Sequence, residues 1–284
     1  MKLLRYGPAG QERPGLLDAA GRIRSLYPVV HDLTWDMFTP DSLEVLRAVD
    51  PTKLPLVDDQ PRLGAPVANP RQFVALGRNY AEHVKESKNP LPLEPMVFNK
   101  ALTSISGCTD DIPMFRHSTA LDYEGELALV MGRKAHRVSE AEALDYVAGY
   151  CICNDVSERD WQLKRGGLIG KGKSAPGYGP LGPWLVTTDE VPDPQQLQIQ
   201  TWVNGVRYQN ASTATMLFSV ARFIAHVTEF MELLPGDVLT TGTPEGVSLG
   251  GGIENPKFLK PGDRVEIAIT GLGRMSQQVV AVEA

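Results

Sequence analysis

The chain has 284 residues, of which 42% are hydrophobic, and its formal net charge at pH 7 is −6. This length suffices for one large core and a smaller one, whereas the negative charge and the lack of any basic run longer than two residues argue against nucleic acid as a partner. Because no apolar run approaches about 18 residues and no signal-peptide region follows the N-terminus, we expect a soluble, cytoplasmic protein with no membrane partner.

Residues 1–68 mix short strand-like stretches with one helical stretch. MKLLRYG and RIRSLYPVV are predicted strands, SLEVLRAVD is a predicted helix, and LPLVDDQPRLGAPVANP is typical of a linker. We therefore predict a small N-terminal α/β domain over residues 1–68 and a larger domain over residues 69–284.

The rest of the chain alternates short apolar runs with glycine and proline, a pattern typical of β-rich domains. The predicted strands are FVALG, ELALVMG, YVAGYCICND, LGPWLVT, LQIQTWVNG, DVLTTGTPEG and RVEIAITGLG. Apolar residues recur at three-to-four spacing in the predicted helices NYAEHVKE, SEAEALDYV, SERDWQLKRG and SVARFIAHVTEFM. The pattern predicts a mixed α/β fold that is mostly β.

Two glutamates precede the apolar run ALVMG. If Glu124 and Glu126 lie on one strand, their side chains share a face, and such close carboxylates repel unless a cation or proton lies between them. An oxygen-only pair suits magnesium, manganese or calcium. Alternating acidic residues also occur on exposed strands, so this pair alone does not establish a metal site.

Asp155 ends the apolar run YVAGYCICN and precedes a helical stretch. A metal-ligand role fits this position. A helix N-cap role fits it equally well, since both Asp155 and Ser157 could cap a helix that begins near Glu158.

His83 and Glu86 lie three residues apart in a predicted helix and therefore share a face. Glu86 could accept from one imidazole nitrogen and leave the other free as a base. An ordinary surface pair is the alternative.

Two loops could contribute polar groups. Lys173 lies in the glycine-rich GKGKS loop, whose amides and ammonium could bind a carboxylate, although the spacing is not that of a nucleotide-binding P-loop. Thr243 lies in TTGTPEG, which could equally be a simple turn.

In chain order, these motifs resemble the fumarylacetoacetate hydrolase superfamily. The resemblance is carried by GRNYAEH, DYEGEL, VAGYCICNDVSERDWQ, GKGKS, GPLGPWLVT, VNGVRYQNASTATMLF and LLPGDVLTTGTPEGV, and covers most of residues 70–275. Within the superfamily, MKLLRYG, PMVFNK, RGG, GKGK and GPLGPWLV are most similar to the bacterial branch that hydrolyses 2,4-diketo-3-deoxy sugar acids and is often labelled ureidoglycolate lyase.

The resemblance implies a β-roll fold, a homodimer, and bound Mg²⁺ or Mn²⁺. The implied metal ligands are Glu124, Glu126 and Asp155. The implied catalytic residues are His83 and Glu86, which would activate water, and Lys173. The implied substrate-binding residues are Arg78, Tyr80, Gln162 and Thr243.

The sequence departs from the family pattern after Lys173. Many members continue with Asp-Thr-Phe, whereas this chain has Ser174-Ala175-Pro176-Gly177-Tyr178. The departure leaves the metal triad intact but affects what can be inferred about the substrate.

The predicted activity is hydrolysis of a C–C bond in a 2,4-diketo (acylpyruvate-type) acid, which gives pyruvate and a shorter acid. Oxaloacetate decarboxylation and enol–keto isomerisation are alternatives for the same site, because all three reactions pass through an enolate. A catalytically silent homologue that binds a metal or an acid is a third hypothesis. Product analysis separates the enzyme classes.

Overall fold

The computed structural model describes residues 1–57, 60–251 and 257–282. Within these ranges the chain forms four α-helices and eighteen β-strands. The predicted fold class, mixed but mostly β, is confirmed. No helix in these ranges is both long and apolar enough to cross a membrane.

The elements are numbered in chain order. The helices are α1 (Pro40–Arg47), α2 (Ala81–Glu86), α3 (Arg159–Lys164) and α4 (Val220–Phe230). The strands are β1 (Lys2–Tyr6), β2 (Arg13–Leu17), β3 (Ile23–Ser25), β4 (Leu63–Gly64), β5 (Phe73–Gly77), β6 (Met96–Asn99), β7 (Ile105–Gly107), β8 (Ile112–Phe115), β9 (Leu121–Asp122), β10 (Gly125–Met131), β11 (Val147–Asn154), β12 (Ser157–Glu158), β13 (Gly179–Thr187), β14 (Gln198–Val203), β15 (Val206–Ser212), β16 (Val238–Thr240), β17 (Arg264–Ile269) and β18 (Gly273–Val282).

Most strands belong to two sheets. The large sheet runs β3-β2-β1-β13-β11-β10-β16-β5-β6, with β4 paired to β1 and β7 paired to β13. The second sheet runs β15-β14-β17-β18-β8, and β9 pairs with β12 separately. Strand β10 lies between β11 and β16, so hydrogen bonds hold it on both sides.

Strand β10 is buried along its whole length because both of its faces are covered. Leu127 and Leu129 pack in a core that includes side chains of α4 and β17. Ala128 and Val130 pack in a second core with side chains of β1 and α1. Side chains alternate along a strand, so two cores account for the uninterrupted apolar run in the sequence.

One predicted helix is wrong. The stretch SEAEALDYV forms only a 3₁₀ turn, Ala143–Tyr146. Ala143 is buried but Leu144 is exposed, and β11 already begins at Val147. Only the last residue of this stretch, Val147, belongs to a central strand. The predicted stretch SLEVLRAVD overlaps α1, which begins two residues earlier, and the other three predicted stretches contain α2, α3 and α4.

The N-terminal residues share a sheet with the rest of the chain. Strand β1 pairs antiparallel with β13, with Leu3 opposite Leu185. The Arg62 guanidinium also donates two hydrogen bonds to Asp110, at 2.5 and 2.6 Å. The division of the chain at residue 68 stays a prediction.

Removal of residues 1–68 tests that division. The truncated chain would expose the edge of β13 and the core formed with β1 and α1, so we expect it to aggregate or to lose its cooperative thermal transition. Circular dichroism melting and size-exclusion chromatography measure both outcomes. A soluble 69–284 fragment with the melting temperature of the full chain would instead establish it as an independent domain.

Candidate functional site

Three carboxylates meet where β10 begins and β11 ends. The two strands pair Gly125 with Asn154, and the Asp155 amide continues the ladder by donating to the Glu124 carbonyl at 2.9 Å. Glu124 and Glu126 are two residues apart in extended chain and project to the same face. One carboxylate oxygen from each of Glu124, Glu126 and Asp155 lies within 4.8 Å of the other two. We call these three side chains the carboxylate triad.

The triad is buried, and its members differ electrostatically. Burial raises the pKa of Glu126, and the carboxylates of Asp155 and Glu124 raise it further. Burial acts in the same direction on Glu124, but Arg159 and Lys173 outweigh it and hold the pKa of Glu124 well below its usual range. Glu126 is therefore the member whose negative charge the protein's own cations compensate least.

Lys173 lies against two members of the triad. Its ammonium donates to Glu124 at 2.5 Å, to Asp155 at 2.6 Å and to the Ser157 hydroxyl at 2.8 Å. Burial lowers the pKa of Lys173, but the attraction of Asp155 and Glu124 outweighs burial and raises it above the ordinary value. The structure thus brings this predicted residue to the triad, and its ammonium contacts the chain's own carboxylates.

Arg159 is a site residue that sequence reasoning missed. Its guanidinium donates to Glu124 at 2.6 Å, to Asp122 at 2.9 Å and to the Gln162 side chain at 3.0 Å. Asp122 in turn accepts from the amide of Ser248 at 2.7 Å. The available signal was the position of Arg159 in the first turn of a helix that starts four residues after a candidate ligand.

Lys100 is the second residue that sequence reasoning missed. Its side chain has no solvent exposure. The ammonium donates to Asp155 at 2.5 Å and to the backbone carbonyls of Lys173 and Tyr178 at 2.5 and 3.0 Å. Lys100 therefore holds the segment after Lys173 through backbone atoms. The unusual side chains of that segment, Ser174 to Tyr178, are not needed for this contact.

The TTGTPEG segment is more than a simple turn, because it supports Glu126. The Thr240 hydroxyl donates to Glu126 at 2.5 Å, and the Gly242 amide donates to the same oxygen at 2.9 Å. Gly242 has φ +87°, and a Cβ there would lie 2.8 Å from the Asn79 Cβ. Glycine is therefore required at the position that presents this amide.

Asp155 does not cap helix α3, so the alternative role considered for it is wrong. The cap is Glu158, whose carboxylate accepts from the Trp161 amide at 2.8 Å. Both carboxylate oxygens of Asp155 instead face ammonium groups, one from Lys100 and one from Lys173.

His83 and Glu86 form the predicted pair on helix α2. The His83 Nδ1 lies 2.9 Å from Glu86 Oε1, and His83 is 8% exposed. If Nδ1 carries the proton and donates to Glu86, Nε2 has a free lone pair. The burial of His83 distinguishes this pair from an ordinary surface contact.

One cavity of about 270 Å³ joins these groups. The predicted site residues that line it are Arg78, His83, Glu124, Glu126, Asp155, Gln162, Lys173 and Thr243. Apolar side chains, including Met96, Phe98 and Leu163, complete the wall. The triad and His83 therefore face a common space, and it is large enough for a small organic acid.

Tyr80 is separated from the other predicted substrate-binding residues. It is 1% exposed and is not among the described residues that line the cavity. Its hydroxyl has no hydrogen-bond partner in the described part of the chain. Arg78, two residues earlier, does line the cavity and has φ +57°, which is uncommon for a residue with a side chain.

The donor set fits a hard divalent cation. Carboxylate oxygens are the preferred ligands of magnesium and manganese, and three buried carboxylates close together are costly without a cation or a proton. The raised pKa of Glu126 reflects the free-energy cost of ionising a third buried carboxylate beside Asp155 and Glu124.

The comparisons with known proteins cover almost the whole chain. A family model described as fumarylacetoacetate (FAA) hydrolase C-terminal matches residues 72–280. The Burkholderia cenocepacia (strain HI2424) protein named "Putative hydrolase Bcen2424_5521" is 53% identical over 278 residues, which is 98% of this chain and 98% of that protein.

Two solved structures are similar in fold as well as in sequence. Maleylpyruvate hydrolase from Sphingobium sp. SYK-6 has a TM-score of 0.82 and 27% identity, over 99% of this chain and 100% of that chain. The 5-carboxymethyl-2-hydroxymuconate delta-isomerase from Mycobacterium smegmatis has a TM-score of 0.76 and 29% identity, over 100% of both chains.

Substitution Glu126→Gln tests the electrostatics of the triad. Because the pKa of Glu126 is raised in the fold, ionising this carboxyl costs stability as pH rises above the ordinary pKa of about 4.3. In excess chelator, the variant should therefore melt at a higher temperature than the parent at about pH 8 and at nearly the same temperature at about pH 4. Thermal denaturation at both pH values measures the difference.

The exposed Glu94 provides a matched control, and Glu94→Gln should melt like the parent at both pH values. A lower melting temperature for Glu126→Gln at the higher pH would show that ionised Glu126 stabilises the metal-free fold, contrary to this account.

Proposed function

Because the chain belongs to the fumarylacetoacetate hydrolase family, we propose that it is a divalent-metal-dependent hydrolase of 2,4-diketo (acylpyruvate-type) acids. The products would be pyruvate and a shorter acid. The observation that carries the proposal is one cavity lined by both the carboxylate triad and the buried His83. Similarity to maleylpyruvate hydrolase supports hydrolysis.

Glu124, Glu126 and Asp155 would hold the ion, which we propose is Mg²⁺ or Mn²⁺. When bound, it would polarise the 2-oxo carbonyl and stabilise the enolate left by C–C cleavage. The role of the chain is to orient three carboxylates toward one point. Lys100, Lys173 and the Gly242 amide do this by hydrogen bonding to them.

His83 would act as the general base. Its Nε2 takes a proton from water, and the hydroxide adds to the distal carbonyl of the substrate. The bond between that carbonyl carbon and the methylene carbon then breaks, and its electron pair stays with the pyruvate fragment as an enolate. The proton held by His83 is returned to the methylene carbon, which completes pyruvate, and the other fragment leaves as a carboxylic acid that ionises in water. Glu86 would hold the imidazole in the tautomer that leaves Nε2 free.

The remaining predicted residues would bind the acid. Lys173 and Arg78 carry positive charge at the cavity, and Gln162 and Thr243 offer polar side chains there. Tyr80 would contribute only from behind the cavity wall. The sugar-acid branch, a homodimer and a cytoplasmic location stay parts of the proposal, and three free, buried cysteines agree with a reducing compartment.

Isomerisation is the second candidate, and similarity to the muconate delta-isomerase favours it. Isomerisation and oxaloacetate decarboxylation use the same enolate but need no activated water. The His83–Glu86 pair therefore favours hydrolysis over decarboxylation, whereas isomerisation would also use it as the base that moves the proton. The pair also argues against a catalytically silent homologue, which would have no need of a buried base beside the triad.

Metal removal tests the cofactor. We expect hydrolysis of a panel of 2,4-diketo acids to stop in excess chelator and to return with Mg²⁺ or Mn²⁺, because the triad supplies only part of an octahedral oxygen shell. A coupled assay for pyruvate measures the rate. Full activity of a protein that elemental analysis shows to be metal-free would contradict the proposal.

Substitution His83→Ala tests the base. We expect a fall in hydrolytic kcat of about 10²–10⁴, as is usual for a lost general base, with a much smaller change in metal affinity. Oxaloacetate decarboxylation, if present, should fall less because it needs no activated water. The exposed His136 lies outside the cavity lining, so His136→Ala is the matched control. Near-parental hydrolysis by His83→Ala would exclude this residue as the base.

A further inference from the structure

We propose that the Tyr123 hydroxyl is a positioning group for the His83–Glu86 pair and acts through the peptide groups of Gly246. The inference rests on the catalytic roles proposed above for His83 and Glu86. It assigns a function to a residue that neither lines the cavity nor belongs to the triad, although it directly precedes Glu124 in the chain.

Gly246 contacts the carboxylate of Glu86. The Gly246 amide donates to both carboxylate oxygens of Glu86, at 3.3 and 3.1 Å. One of these oxygens, Oε1, is also the partner of His83 Nδ1 at 2.9 Å. The Gly246 amide therefore fixes the rotation of the carboxylate that orients the imidazole.

The backbone of Gly246 is itself held rigidly. Its φ is +94°, in the region that favours glycine, and a Cβ there would lie 2.1 Å from the Tyr208 carbonyl oxygen. The backbone is thus pressed closely against β15, and a side chain at this position would displace it.

Tyr123 contacts the carbonyl group of Gly246. The Tyr123 hydroxyl donates to the Gly246 carbonyl at 2.7 Å, and Tyr123 is only 2% exposed. Tyr123 and Gly246 also line a second cavity, of about 890 Å³, and a water molecule that replaced the hydroxyl there would not be anchored to the backbone as the tyrosine is. A carbonyl left without its donor would let the peptide groups of Gly246 rotate, and the amide aimed at Glu86 would move with them.

These contacts connect the carboxylate triad to the proposed base, His83. Tyr123 is covalently joined to Glu124, and its hydroxyl reaches Gly246, whose amide reaches Glu86 and thus His83. The tyrosine hydroxyl would therefore fix the position of the His83–Glu86 pair relative to the triad. This is a positioning role, since Tyr123 itself has no place among the residues described around the cavity.

Substitution Tyr123→Phe removes the hydroxyl and keeps the ring. We expect kcat for hydrolysis to fall about three- to tenfold, the effect of one neutral hydrogen bond, while KM and the Mn²⁺ dissociation constant stay within about twofold. Tyr208→Phe is the matched control. Its ring packs edge-on against Tyr123 at 6.3 Å, but it is 42% exposed and its hydroxyl makes no hydrogen bond within the described residues.

A double-mutant cycle separates positioning from general loosening of the fold. If Tyr123 acts through Glu86, adding Tyr123→Phe to Glu86→Gln should lower kcat no further. An independent loss in the double variant, or parental kcat in Tyr123→Phe, would overturn the inference.

Proton NMR gives a readout that does not depend on the reaction. The His83 Nδ1 proton should resonate downfield in the parent, be lost in Glu86→Gln, and shift or broaden in Tyr123→Phe but not in Tyr208→Phe. An unchanged resonance in Tyr123→Phe would also overturn the inference. If His83→Ala retained hydrolysis, the proposed base would be wrong, whereas this resonance would still report whether Tyr123 positions the pair.

Discussion

The structure depends on the cost of placing several carboxylates together in the buried end of a sheet. The triad and Asp122 bring four buried carboxyl groups together where β9, β10 and β11 meet. Three buried cations, Lys100, Arg159 and Lys173, form ion pairs with them. Charges removed from water need close partners with good geometry. Every cation here makes short hydrogen bonds to the carboxylates. One negative charge is left over, and it is concentrated at Glu126, whose pKa is raised.

That imbalance connects the fold to the function. A site of fully matched charges would have no need of a divalent ion, whereas an excess negative charge on ordered oxygens favours one. The same cations also fix the loops around the cavity. Lys100 joins Asp155 to the backbone of Lys173, just before the segment that departs from the family pattern, and of Tyr178, its last residue, so the side chains of that segment can vary while Lys173 keeps its position.

The sequence predicted the part of the site that depends on local spacing. Glu124 and Glu126 on one face, Asp155 at a strand end, and His83 beside Glu86 follow from strand and helix periodicity. Lys100 could not be found this way, because no local feature distinguishes a lysine in a buried ion pair from a solvated one. The only local signal for Arg159 was its position at the start of a helix, four residues after Asp155. Strands β15 and β18 were missed for a related reason: polar residues such as Gln209 and Gln277 are buried in them only because the fold supplies partners.

The central claim is that the triad needs a divalent cation, and crystals soaked in Mn²⁺ test it most directly. We predict a single strong anomalous peak within coordination distance of oxygen atoms from Glu124, Glu126 and Asp155, with Lys100 still in contact with Asp155. The peak should be absent from crystals of Glu126→Gln grown and soaked in the same way. A triad without any peak in the parent crystals, at Mn²⁺ concentrations that support activity, would contradict the account.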